Sequence, residues 1–165
     1  MTVPALQQGD FVWCAFPERE APLRPGPLHV AYTLAVAGVA GGYGVIAAYT
    51  TSQPWAGVLP QGIVSFDSEE AAGLGQARAF VLDLRRLAYL PLTATWFPRV
   101  GETGAGVLGR APKTLRDSVN AMTTELVKRR PETLNRSGPL WGPAAVTGAK
   151  PRVSLRFRRA DRDSG

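Results

Sequence analysis

HVAYTLAVAGVAGGYGVIAAYTT, residues 29–51, decides how this chain folds. The run from Val30 to Tyr49 is almost wholly apolar, and no Asp, Glu, Lys or Arg occurs between Arg24 and Asp67. A hydropathy window alone would suggest a membrane helix. The glycines argue otherwise. Gly38, Gly41, Gly42 and Gly44 cluster in the middle, and the flanks VAYTLAV and VIAAYTT are rich in β-branched and aromatic residues. Two strands joined by a glycine turn fit this pattern. The expectation is a hairpin of strands at 29–36 and 44–51, with no membrane span.

Strand-like segments continue on both sides. GDFVWCAF (9–16) alternates Val12, Cys14 and Phe16 with Phe11, Trp13 and Ala15. PEREAPLRPGP (17–27) reads as a Pro-rich charged loop, and 53–60, with Pro54 and Trp55, as a second loop. A short strand is expected at 62–66, then a polar excursion at 67–75. Strands at 79–84 and 86–90 follow, or one strand with a bulge, and a further short strand at 106–108. The period then changes. Leu115, Val119, Met122 and Leu126 fall on one helical face, with Pro112 at the start and Pro131 at the stop. Strands followed by one amphipathic helix predict a mainly β (β+α) fold, a compact barrel with a C-terminal helix packed against it. One domain is expected over residues 1–131. Residues 132–165, rich in Gly, Pro and Arg, read as a flexible basic tail.

Composition narrows the functional classes. The single cysteine, Cys14, forbids a disulfide within the chain and suits a reducing compartment. MTVPALQQGD has no positive charge followed by an apolar run, so a secretory signal is not expected and the cytoplasm is the expected location. The formal charge is +6, and from Arg99 onward 14 Lys/Arg face 6 Asp/Glu. Such asymmetry suits a polyanion partner, although a solvated basic surface gives the same count. One Cys and one His are too few for a zinc site. There is no Gly-x-Ser-x-Gly turn, P-loop or dinucleotide fingerprint. Asp10, Glu69, Glu70 and Asp83 have no spacing that suggests magnesium. No metal or cofactor is expected.

The ordered set of motifs resembles the MazF/PemK family of toxin–antitoxin proteins. Gly9-Asp10 opens an aromatic-rich strand; a charged loop and an Arg-Pro, here Arg24-Pro25, come next. AAYTTSQ ends a strand with Thr50, Thr51, Ser52 and Gln53. VLDLRRLAYLP supplies the later polar-registered strands, and GAGVLGRAPKTLRDSVNAM a Gly-x-Val step into the terminal helix. The likeness covers roughly residues 9–130. It implies an SH3-like barrel, a homodimer, and metal-independent cleavage of single-stranded RNA, restrained by an antitoxin peptide in the RNA groove. The family's catalytic arginine has two counterparts here. Arg24 matches it by residue pair, and His29 by its place at the head of the strand.

The chemistry needs a proton taken from the ribose 2′-OH, charge stabilised on the phosphate, and a proton given to the leaving oxygen. His29 suits the proton transfers and Arg24 the phosphate. The resemblance gives Thr50 a hydrogen bond to a phosphate oxygen. Thr51, Ser52, Gln53 and Trp55 are the candidate RNA-binding residues, Trp55 by stacking a base. The competing class is a non-catalytic binding module on the same barrel, such as a gyrase-inhibitor-like protein or an adaptor.

Overall fold

The computed structural model describes residues 5–100 and 106–142. Seven strands form one sheet: β1 (Asp10–Cys14), β2 (His29–Val39), β3 (Gly42–Thr51), β4 (Ile63–Phe66), β5 (Phe80–Pro91), β6 (Val107–Arg110) and β7 (Asn135–Ser137). Along it the order is β4-β5-β3-β2-β1-β6, every neighbouring pair antiparallel, while β7 adds to β5 in parallel. Two helices accompany it, α1 (Ser68–Gly73) and α2 (Lys113–Arg129). The fold is mainly β.

The apolar run is the β2–β3 hairpin, with a two-residue turn at Ala40–Gly41 and Val39 opposite Gly42. Gly41 adopts φ 83°, a conformation that disfavours side chains. Its strands read as continuous apolar sequence because both faces are covered. On the inner face Phe11, Tyr32, Leu34, Ile46, Ala48, Leu82, Leu84, Leu87 and Tyr89 meet Val119 and Leu126 of α2. Leu115 and Met122 complete the helical stripe against this core. On the outer face Val12, Cys14, Ala31, Val45, Ala47, Ala88 and Leu90 lie under Leu6, Phe16, Trp96 and Phe97. Among the described residues no helix is long and apolar enough to cross a membrane.

No ladder joins the edge strands β4 and β6 among the described residues. Backbone contact bridges them instead. A Cβ on Gly75, just after α1, would lie 1.9 Å from the Leu108 carbonyl oxygen, and one on Gly109 would lie 2.0 Å from that of Leu74. Only glycines permit this approach. The 67–75 excursion is not irregular: α1 starts with a capping box between Asp67 and Glu70. Of the alternatives for 79–90, the single bulged strand is the observed one.

The expected boundary at residue 131 requires correction. A 3₁₀ turn (Pro131–Thr133), β7 and a second 3₁₀ turn (Pro139–Trp141) carry the fold on to Gly142. Trp141, 1% exposed, stands edge-on to Tyr89 in the inner core, and its indole N–H donates to the Ser137 carbonyl at 2.6 Å. The rest of the expected tail, residues 143–165, lies outside the described residues.

Candidate active site

β1 runs out through Phe16 into the loop at 17–28, which returns to β2 at His29. This loop is pinned near its end and at its middle. The Gly26 amide donates to the Ala15 carbonyl at 3.1 Å, and the Gly138 amide to that of Pro22 at 2.7 Å. Beneath it opens a hollow of about 200 Å³, lined by Phe16, Pro17, Glu18, Arg19, Glu20, Pro27, His29, Tyr49 and Arg86. Strand pairing explains the meeting of distant residues. Ala31 stands opposite Tyr49, so His29 and Tyr49 share the outer face; their rings lie 5.1 Å apart, tilted by 50°. Arg86 places its guanidinium 4.0 Å from the Tyr49 ring centre and 5.5 Å from that of Phe16. It also donates to the Pro17 carbonyl at 3.4 Å.

The electrostatics suit proton transfer beside an anion. Burial holds the His29 imidazole below its ordinary value, Arg86 pushes the same way, and Glu18 draws it partly back. The neutral ring, able to accept a proton, therefore predominates at pH 7. Burial lowers the Arg86 pKa from that of a free arginine; Arg19 acts in the same direction, while Tyr49 and Asp83 oppose it. An arginine remains cationic at neutral pH nonetheless. Arg86 belongs to none of the ion pairs among the described residues, which take up Arg85, Arg110, Lys113, Arg129 and Arg130. Its charge is available to a ligand. Tyr49 is the one hydroxyl in the lining.

The expected site residues separate. His29 lines the hollow. Arg24 does not: it is exposed on the loop and outside the lining. Thr50 does not line the hollow either. It points to the inner face, 4% exposed, and its hydroxyl donates to the Val30 carbonyl. Thr51, one residue on, follows Tyr49 in the outward alternation, and its hydroxyl accepts from the Gln53 amide at 3.2 Å. Ser52 and Gln53 are exposed beyond β3. Trp55, 39% exposed, lies away from the hollow in the next loop, where the Arg85 guanidinium stands 5.3 Å from its ring centre.

Tyr49 and Arg86 are residues of the hollow that sequence reasoning did not single out. A signal for Arg86 was present: two adjacent arginines interrupt the apolar run VLDLRRLAYL. Cys14 is no rival nucleophile, because burial pushes its thiol far above the ordinary value. Among the described residues no three His, Cys, Asp or Glu stand together as a metal site. Compared with known proteins, the chain matches no family model and no curated sequence.

Proposed function

We propose that this protein is a MazF/PemK-like endoribonuclease on an SH3-like barrel, cutting single-stranded RNA in the His29–Tyr49–Arg86 hollow. The observation that carries the reading is the meeting of His29 with an arginine that pairs with no carboxylate among the described residues, in one open hollow. In the reaction His29 takes the 2′-OH proton as that oxygen attacks the neighbouring phosphorus. Arg86 holds the phosphate oxygens while negative charge builds on them. Tyr49 gives a proton to the departing 5′-oxygen. The products are a 2′,3′-cyclic phosphate and a free 5′-OH. Trp55, with Arg85 over its ring, offers a flanking base a stacking surface beside Thr51, Ser52 and Gln53.

In this reading the enzyme works in the cytoplasm as a homodimer, held in check by an antitoxin peptide. The exposed apolar side chains Leu23, Leu28, Val58 and Leu59 support a protein partner. The full chain, incubated with a single-stranded RNA in EDTA, is expected to yield cyclic-phosphate ends. His29→Ala should slow cleavage by about 10²–10⁴-fold, and Arg86→Gln by about 10²–10³-fold. RNA that is bound and left whole would instead make the protein a binding module.

A further inference from the structure

Arg86 reaches the hollow because β5 is irregular. Ala48 pairs with Leu87, but Tyr49 pairs with Asp83, so Leu84, Arg85 and Arg86 form a bulge with no partner on β3. The bulge reverses which side chains face inward. Leu82 before it and Leu84 at its first position belong to the inner core; after it, Leu87 and Tyr89 do. Unbroken alternation from Leu82 and Leu84 would drive the Arg86 guanidinium into that apolar core. The reversal puts Arg86 on the outer face with Ala88 and Leu90.

One buried side chain grips the bulge. Asp83, 7% exposed, accepts from the Arg85 amide at 2.9 Å, from its Nε at 3.0 Å and from its terminal guanidinium nitrogen at 3.2 Å. The backbone is thus tied at the residue before Arg86, by charge-assisted bonds in a largely dry place. A further bond, from the Leu84 amide to the Gly62 carbonyl at 2.8 Å, fixes the start of the bulge. We propose that Asp83 is the positioning residue of this site: by gripping Arg85 it maintains the bulge that turns Arg86 from the core onto the His29–Tyr49 hollow. Its part in catalysis rests on the ribonuclease reading; its part in placing Arg86 does not.

His29 is the only histidine in the chain, so its ring signals in an NMR titration need no assignment. The groups lining the hollow with it are Glu18, Arg19 and Glu20 of the loop, Tyr49 of β3 and Arg86 of β5. Arg86→Gln removes a cation and should raise the His29 midpoint. Asp83→Asn separates two cases by sign. Were Arg86 to stay in place, loss of a negative charge would lower the midpoint or leave it still. With the bulge released and Arg86 withdrawn, the midpoint rises toward that of Arg86→Gln, which is the expected result.

RNA cleavage by Asp83→Asn should fall by roughly 10–100-fold, the loss that removing a supporting group brings at metal sites. A His29 midpoint that holds or falls in folded Asp83→Asn overturns the proposal, as does one indifferent to Arg86→Gln. Near-UV circular dichroism reports folding. If Asp83→Asn does not fold, Arg85→Lys, which keeps the charge but loses the paired guanidinium bonds to Asp83, must raise the midpoint or the proposal fails. The expected shift in variants of a chain that cuts no RNA would reject the ribonuclease and keep the role of Asp83.

Discussion

Replacing Trp141 by alanine tests whether the C-terminal segment belongs to the fold. The ring is fully enclosed in the inner core, against Tyr89 at 5.4 Å between ring centres. Removing a buried indole destabilises by about 3–5 kcal/mol. The Ser137 carbonyl also loses the 2.6 Å bond from the indole, which adds about 1 kcal/mol. A single domain commonly has about 5–15 kcal/mol in all, so Trp141→Ala should leave a weakened protein. With a urea dependence of about 2 kcal/mol per M, the unfolding midpoint should fall by about 2–3 M. Far-UV circular dichroism is the suitable probe, because fluorescence would change with the loss of one of four tryptophans. Trp141→Phe, which retains a ring without the N–H, should fall by less. A midpoint within about 0.5 M of the parent, equivalent to about 1 kcal/mol, would refute the reasoning and return the boundary to residue 131.

Two further outcomes follow from the placement of Thr50 and His29. Thr50→Val, which removes only a buried hydroxyl bonded to the Val30 carbonyl, should lower stability by about 1 kcal/mol and leave RNA cleavage unchanged; a folded variant that no longer cuts would restore Thr50 to the site. His29 has a depressed pKa in the folded state, so the unfolded chain takes up its proton first as pH falls. The stability that this group contributes is complete above about pH 6.5, the ordinary histidine value, and is lost as pH drops through the folded pKa. Urea midpoints measured from pH 7.5 down to 5 should show a decline that His29→Gln flattens, and an equal decline in both proteins would exclude His29 as its source.

Much of the architecture was legible because periodicity carries it. Leu115, Val119, Met122 and Leu126 mark a helix by spacing alone, and they pack where that spacing directs them. Glycine spacing distinguished the hairpin from a membrane span. The site was less legible because it depends on register and face. Tyr49-Thr50-Thr51 alternates, but with both faces of β3 buried its composition does not reveal which side is inward. His29 was singled out from its place at a strand head. Its neighbours were not, because Arg86 reaches it through a bulge whose restraint, Asp83, looks from sequence like any strand aspartate. Trp141 was missed because GPLWGP has the composition of a linker, and one buried aromatic creates no period.

The double-sided burial of the β2–β3 hairpin bears on how the chain is made. Synthesis runs from the N-terminus, so this ribbon emerges before most of its cover exists. β1 is already available, but the central partner β5, the outer lid of Trp96 and Phe97, and helix α2 all come later. Until residue 80 is out, an uncharged stretch spanning residues 25–66 is left without the neighbours that solubilise it. Such a segment, high in β propensity and empty of gatekeeping charge, is a template for pairing with another nascent copy. The non-local pairing of β3 with β5 also has to wait for chain closure, which prolongs the exposure. The vulnerable interval therefore lies between completion of the hairpin and arrival of Phe80, and a chaperone that shields nascent apolar segments would act to greatest effect there.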